Sequence, residues 1–170
     1  MIKRISYLVP TQILINLYYS LIYPYFTYCN FIWSSTYKIH LKSIQILQKK
    51  AIRVITKSPF NSHTGPFFLQ YKLLNITQIK FLQTCEFMYK YTNNLLPPSF
   101  ALFFCLSTNT HNTRSNDDYK CIFARTNIRK FSLKYQGPAA WNSLPKHIRT
   151  AMCLAHCKHL VRAHTLDHVL

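Results

Sequence analysis

The chain has 170 residues, 49% of them apolar, and its 21 lysine and arginine residues are balanced by only four aspartate and glutamate residues, which leaves a formal net charge of +17. A chain of this length and apolar content can bury one core, so we expect one domain or a piece of a larger protein. Self-repulsion at this charge destabilises a compact state unless a polyanion or another domain screens it. The first candidate for the polyanion is nucleic acid, and the second is an acidic membrane surface.

The four acidic residues, Glu86, Asp117, Asp118 and Asp167, also limit the chemistry. Two-metal phosphoryl transfer needs several carboxylates that converge on two cations. The pair Asp117-Asp118 invites comparison with the aromatic-x-Asp-Asp turn of polymerases, but Ser115 stands where the aromatic residue would be, and no apolar strands flank the pair. No nucleophile has a base and an orienting residue at a recognisable spacing, and the chain has no glycine-rich phosphate loop. The sequence therefore predicts no catalytic site.

Residues 5–37 contain no charged side chain. Within them, residues 13–33 are about long enough to span a bilayer and have basic residues on both sides. The same stretch contains five tyrosines, two asparagines and a proline, and too few leucine, isoleucine and valine residues to favour insertion. We therefore predict a buried helix that breaks at Pro24 and continues over residues 25–33. A membrane-anchored basic protein with its span at 13–33 is the alternative.

Residues 36–57 form the clearest two-faced segment of the chain. At about 100° per residue, one side of a helix carries the apolar residues Leu41, Ile44, Leu47, Ala51, Ile52, Val54 and Ile55. The other side carries cations within about 120°, namely Lys38, Lys42, Lys49, Lys50, Arg53 and Lys57. Ile39 and Ile46 are the exceptions to this pattern. No acidic residue lies four positions from these cations, so the basic face predicts contact with an anionic partner, with a solvated face as the alternative.

The middle of the chain is predicted to be helical. Ser58-Pro59 ends the basic helix, and residues 61–66 have turn composition. Asn75 is placed to cap a helix over residues 76–93 that is apolar most of the way round. Pro97-Pro98 ends that helix.

The last third predicts mixed structure. Residues 107–120 are expected to form a polar loop, and residues 121–135 show a partial alternation of apolar and polar side chains that predicts a small β hairpin. A short helix with Trp141 follows, and a terminal helix covers residues 150–170. The expected fold class is mainly α with a small β hairpin, in an irregular helical domain.

The cysteines show no framework spacing, so we expect free thiols in a reducing compartment, which places the protein inside the cell, in the nucleus or cytoplasm. One group near the end of the chain resembles a ligand set for zinc: Cys153, His156, Cys157, His159, His164 and His168. A single helix cannot present all of these side chains to one ion. We predict no metal site and no cofactor.

Five blocks of the sequence, in order along the chain, carry a resemblance to a known family: LYYSLIYPYFTYCNFIW, LQKKAIRVIT, FMYKYTNNLLPPSF, HNTRS and ARTNIRKFSLKYQGPAAWNSLPKHIR. They resemble the region that follows the polymerase palm in reverse transcriptases of non-long-terminal-repeat retrotransposons, jockey-like elements in particular. The resemblance covers about residues 5–160. Its most specific matches are Asn112, Thr113, Arg114, Arg125, Thr126, Asn127, Gly137, Pro138, Trp141, Asn142, Ser143, Leu144, Pro145, Ile148 and Arg149. The last residues depart from the family pattern, with cysteine and histidine where the family has apolar or charged residues.

The resemblance implies that the parent protein is an RNA-directed DNA polymerase, of which this chain looks like a truncated copy or a fragment. Residues 1–106 would be thumb-like, residues 121–149 the hairpin and tryptophan helix, and no catalytic residue of the family can be carried onto the chain. The chain itself is therefore not expected to be an enzyme. The missing palm is a further expected partner, and a fragment that does not fold without the palm is another alternative.

A second group of cations joins the basic helix as a candidate phosphate-binding surface: Arg114, Arg125, Arg129, Lys130, Lys134, Lys146 and Arg149. Cations neutralise phosphates and aromatic side chains stack on bases. Most of the 26 aromatic residues are expected in the core, because they lie on apolar faces. Together with the resemblance, these cations predict binding of RNA or an RNA–DNA hybrid through the phosphates, which depends on backbone charge and shape rather than on base sequence.

Overall fold

The computed structural model describes residues 2–107 and 118–167. In these residues the chain is mainly helical, which confirms the predicted class, and no sheet is present. The chain divides into two compact units, an N-terminal unit, Met1–Lys80, and a C-terminal unit, Phe81–Leu170. The finer division predicted within the chain, with limits at 106, 120 and 149, stays a prediction.

The N-terminal unit begins with a series of short helices: α1 Ile2–Ile5, α2 Thr11–Leu17, α3 Tyr23–Thr27 and α4 Asn30–Trp33. Of these, α1 carries Lys3 and Arg4, and the other three lie in the uncharged segment. A π-helical turn, Tyr18–Ile22, joins α2 to α3, because the proline in the first turn of α3 has no N–H to continue an α-helical ladder. The clear break comes later, at Cys29, which has a left-handed φ of 48°. No helix in the described part of the chain has both the length and the apolar character needed to cross a bilayer.

Three further helices complete the first part of the chain: α5 Lys38–Ile55, α6 Gly65–Gln70 and α7 Ile76–Thr92. The predictions of the basic helix and of the later apolar helix are both confirmed. Asn75 caps α7 as predicted, since its Oδ1 accepts a hydrogen bond from the Gln78 N–H at 2.9 Å and the Gln78 side chain accepts one from the Asn75 N–H at 2.9 Å. This reciprocal pair is a capping box.

The helices α5, α6 and α7 end in the same way. In each, the residue after the C-cap has a positive φ, and the next N–H donates back to a carbonyl of the last turn, as in a Schellman motif. At α5, Lys57 has φ 53° and the Ser58 N–H donates to the Arg53 carbonyl at 3.0 Å. Lys72 and Asn94 hold the same position after α6 and α7. Glycine, the usual residue in this conformation, occupies none of the three places.

The C-terminal unit contains a 3₁₀ turn, Pro98–Phe100, followed by α8 Asn127–Phe131, α9 Leu133–Asn142, α10 Lys146–Arg149 and α11 Leu154–Asp167. Its core joins the second half of α7 to the last helices through the buried residues Cys85, Met88, Tyr89, Phe104, Tyr119, Trp141, Leu144, Ile148, Cys157 and Val161. The predicted tryptophan helix and terminal helix are therefore present, as α9 and α11.

The β hairpin predicted over residues 121–135 is wrong. Thr126 caps a helix there, because its hydroxyl accepts a hydrogen bond from the Arg129 N–H at 3.4 Å. Ser132 is extended and ends α8 where α9 begins. The apolar alternation around Ser132 therefore arises from two short helices in succession. The described residues do contain one isolated antiparallel bridge, between Leu106 and Tyr119.

Candidate nucleic-acid interface

The orientation of the basic helix α5 is fixed by the residues that it buries, which are Leu41, Gln48, Ile52 and Ile55. Gln48 is the polar member of this set and is only 1% exposed. Its Nε2 donates hydrogen bonds to the Tyr18 hydroxyl at 3.0 Å and to the Leu74 carbonyl at 2.9 Å. Burial raises the pKa of Tyr18 to about 12, although the hydrogen bond from Gln48 acts in the opposite direction.

The sequence pattern placed Leu47 on the apolar face, but the structure leaves it 60% exposed and buries its neighbour Gln48. A hydrophobicity pattern cannot detect this exchange, because the burial of Gln48 depends on two partners that lie 30 and 26 residues away along the chain. Leu41, Ile52 and Ile55 are buried as predicted. The predicted cations of α5 are exposed except Arg53, which is partly buried.

Five of the predicted cations of α5 and its end are exposed: Lys38, Lys42, Lys49, Lys50 and Lys57. Arg53 is partly buried, and its Nε donates a hydrogen bond to the Ser62 carbonyl at 3.0 Å. The N-terminal unit has ten lysine and arginine residues and no aspartate or glutamate. No carboxylate side chain of this unit can therefore neutralise the basic face of α5.

A cavity of about 410 Å³ lies at the C-terminal end of α5. Its lining combines cations, hydroxyls and aromatic rings from α1 and the turn after it, from α5 and from the residues after α5: Lys3, Ser6, Tyr7, Lys50, Arg53, Val54, Lys57, Ser58 and Phe60. We call it the α1–α5 cavity. The guanidinium of Arg53 lies 5.9 Å from the centre of the Phe60 ring. The contribution of residues 3–7 could not be predicted from the sequence, because nothing in a local pattern connects them to a helix end about fifty residues further along.

The cations of the second predicted cluster differ in their surroundings. Arg125, Arg129 and Lys130 are exposed at the start of and within α8. Lys134 lies with its Nζ 4.8 Å from the centre of the Phe103 ring, a cation–π contact. Lys146 is exposed in α10. Arg114 lies outside the described residues.

Arg149, the last member of that cluster, has a structural partner. Its Nη1 donates a hydrogen bond to Asp118 at 2.7 Å, and only 13% of the Arg149 side chain is exposed. The pair joins α10 to the residues beside the Leu106–Tyr119 bridge. Arg149 is thus already charge-compensated and is poorly placed to contact a phosphate.

Other residues of the closing sequence block pack the C-terminal unit. The Asn142 side chain pairs with the backbone of Tyr119, accepting from its N–H at 3.0 Å and donating to its carbonyl at 2.8 Å. A Cβ added to Gly137 would lie 2.9 Å from the Met88 sulfur and 3.1 Å from the Phe104 ring, so a larger residue would have to displace these buried side chains. Asn142 and Gly137 thus help to hold this unit together, whereas residues 125–130 of the same block are exposed.

One carboxylate connects α7 to α11. Glu86 forms ion pairs with Lys90 at 2.9 Å and with Lys158 at 3.0 Å. Burial alone would raise the pKa of Glu86, but the hydrogen bonds and charges of the two lysines outweigh it and hold the pKa below its usual value. Glu86 thus shares its single negative charge between Lys90 and Lys158, so the three side chains together keep one positive charge.

The cysteine and histidine residues of α11 do not assemble into a metal site. Among residues 2–107 and 118–167, no three histidine, cysteine, aspartate or glutamate side chains are grouped so that they could hold an ion. His168 lies outside those residues. Burial, together with the charge of Glu86, raises the pKa of the Cys157 thiol to about 11, so this side chain stays protonated and packs as a small apolar group.

Comparisons of the chain with protein-family models, with curated protein sequences and with solved structures gave no match.

Proposed function

We propose that the chain binds RNA, or an RNA–DNA hybrid, through the phosphates, and that it derives from the post-palm, thumb-like region of a jockey-like retrotransposon reverse transcriptase. The observation that carries the binding proposal is the exposed row of lysines on α5 in a unit that has no acidic residue. Lysines without carboxylate partners keep their full charge for phosphates. The origin rests on the ordered blocks of sequence that resemble that family.

The fixed backbone of α5 supports its proposed role in phosphate binding. The buried side of the helix is held by apolar packing and by the hydrogen bonds of Gln48, so the backbone that carries Lys38, Lys42 and Lys49 is fixed. Lys42 and Lys49 lie seven positions apart, which places them two turns apart on one side of the helix. Such a row can follow a phosphate backbone without reading the bases.

We propose no catalytic activity for the chain, because the part of the reverse transcriptase that it resembles follows the palm that carries catalysis. The palm is a second proposed partner. Three exposed apolar side chains of the N-terminal unit support this, since Tyr25 is 80% exposed, Tyr28 78% and Ile32 63%. Exposed apolar side chains that form a contiguous patch often mark a protein interface. The proposed location is inside the cell, in the nucleus or cytoplasm, where RNA and such a polymerase would meet.

Binding of a fluorescent RNA–DNA hybrid to the purified full chain tests the proposal. The informative variant is Lys42→Gln with Lys49→Gln, and the matched control is Lys72→Gln with Lys120→Gln, two lysines that are exposed and lie outside both basic clusters. Both variants lower the net charge equally. We expect the first to weaken binding roughly tenfold in about 0.1 M salt and the second to have a much smaller effect.

Equal losses in the two variants would show that only the net charge matters and would remove the binding role of α5. Primer extension by the protein on an RNA template would contradict the proposed lack of catalysis. Retention in membranes after alkaline extraction would instead support the anchored alternative.

A further inference from the structure

The α1–α5 cavity has a chemistry that the row of lysines along α5 lacks. Besides cations, it has two aromatic rings at its wall, and both are open to solvent, since Tyr7 is 77% exposed and Phe60 73%. Exposed aromatic rings beside cations are the combination with which proteins bind unpaired nucleotides, because a base stacks on the ring while the phosphate meets the charge.

We propose that the α1–α5 cavity is a subsite for one unpaired nucleotide of a nucleic-acid strand, with the base stacked on Tyr7 or Phe60 and the phosphate held by Lys50, Arg53 and Lys57. This inference rests on the proposed function, because it concerns the strand that α5 would bind. It adds a preference for strands with an unpaired end over fully paired ones.

The cations of the cavity are available for a phosphate. Lys3, Lys50 and Lys57 form no ion pair with any described residue, and the unit supplies no carboxylate. Arg53 is held in place by the hydrogen bond from its Nε to the Ser62 carbonyl. That bond uses only one of the guanidinium donors, so the terminal nitrogens keep theirs for a ligand. A guanidinium that is already oriented loses little entropy when a phosphate binds.

The cavity is too small for a duplex and suits a single nucleotide. Its volume of about 410 Å³ lies within the range of small-molecule sites, about 300–1,000 Å³. The bases of a duplex are stacked on one another and cannot use Tyr7 or Phe60, whereas an unpaired base offers its face. The two serine hydroxyls at the wall already have partners, because Ser6 donates to the Lys3 carbonyl and Ser58 pairs with Thr56, so the cations are the main groups left to hold the phosphate.

The test compares two fluorescent RNA–DNA hybrids of the same paired length, one blunt and one with a five-nucleotide single-stranded end that carries 2-aminopurine. The variant is Tyr7→Ala with Phe60→Ala in the full chain. The matched control is Tyr25→Ala with Tyr28→Ala, which removes two equally exposed rings outside the cavity. Urea denaturation of each variant checks that the fold is unchanged, and exposed rings should be removable without unfolding.

We expect the unmodified protein to bind the hybrid with the unpaired end more tightly, and the cavity variant to lose roughly tenfold in affinity for it while binding the blunt hybrid as before. The 2-aminopurine fluorescence should change on binding to the unmodified protein and to the control, but not to the cavity variant. For the hybrid with the unpaired end, Lys50→Gln should make the slope of the logarithm of affinity against the logarithm of salt concentration shallower by about 0.7.

Equal affinity for both hybrids, unaffected by the cavity variant, would overturn the subsite and leave the proposed function standing. Equal losses for both hybrids in the cavity variant would also overturn it, because the rings would then act on binding in general. No binding of either hybrid, with binding to anionic phosphatidylserine vesicles that requires Tyr7 and Phe60, would overturn both proposals in favour of a membrane surface.

Discussion

Gln48 of α5 donates a hydrogen bond from its Nε2 to the hydroxyl of Tyr18 at 3.0 Å. This bond connects α5 to the π-helical turn after α2, within the N-terminal unit. The same amide also satisfies the carbonyl of Leu74 at 2.9 Å. A buried amide with two acceptors determines how α5 is rotated about its axis, because any other rotation would leave the carbonyl unsatisfied. The direction in which the lysine row points depends on this contact.

Gln48→Leu should destabilise the N-terminal unit by about 1–3 kcal/mol, because it leaves the Leu74 carbonyl and the Tyr18 hydroxyl buried without their donor. Urea denaturation followed by circular dichroism measures the free energy of unfolding. Leu47→Gln is the matched control, since Leu47 is 60% exposed and its loss should change stability by less than about 0.5 kcal/mol. A variant Gln48→Leu that is as stable as the original protein would show that the network does not orient the helix.

Gly137→Ala should destabilise the C-terminal unit by about 1–3 kcal/mol, because the new methyl group would press on the buried Met88 and the Phe104 ring. Gly65→Ala is the control, since a Cβ there meets no atom within 4 Å. The control should be neutral or slightly stabilising, because alanine has less freedom to lose on folding. The measurement is the urea denaturation midpoint of each of the two variants. Equal midpoints would contradict the close packing at Gly137.

Glu86→Gln should lower stability at neutral pH by on the order of 1 kcal/mol, through weaker ion pairs with Lys90 and Lys158. The pKa of Glu86 is lowered in the folded protein, so its contribution is fully present above the usual value of 4.5 and is lost as the pH falls through the folded-state value. The stability difference between the two proteins should therefore shrink when denaturation is repeated below about pH 4.5. A difference that stays constant with pH would assign the effect to packing rather than charge.

Lys57→Gly should separate stability from binding. Lys57 has a φ of 53°, a conformation that disfavours residues with a Cβ by about 1 kcal/mol, so glycine should raise the free energy of unfolding by a similar amount. The same change removes a cation and should weaken binding of the RNA–DNA hybrid. Lys57→Gln keeps the backbone strain and should weaken binding without the gain in stability. A gain in both stability and affinity for Lys57→Gly would exclude a phosphate contact there.

Features that depend on residues close together in the chain could be predicted from the sequence. The two-faced pattern of α5 and the capping position of Asn75 depend on residues within a few turns of one another, so periodicity and cap chemistry predicted both. The alternation around Ser132 gave a wrong prediction of a hairpin, because a cap at Thr126 and a second helix start six residues later produce the same spacing as a short strand.

Features that depend on distant partners could not be predicted. The burial of Gln48, the pairing of Arg149 with Asp118 and the approach of Tyr7 to the end of α5 each join residues at least 26 positions apart. For the candidate site this means that the lysine row was visible in the sequence, while the aromatic wall of the α1–α5 cavity was not. It also means that Arg149 could not be recognised as a structural residue.

The salt dependence of RNA–DNA hybrid binding tests the central claim most directly. For the unmodified chain, the logarithm of affinity should fall linearly with the logarithm of salt concentration, with a slope of about −0.9 for each phosphate that is neutralised. Lys42→Gln with Lys49→Gln should make that slope shallower by nearly two, while Lys72→Gln with Lys120→Gln leaves it close to the original. Binding that is absent, or a slope that the two variants change equally, would contradict the claim that α5 holds the phosphates.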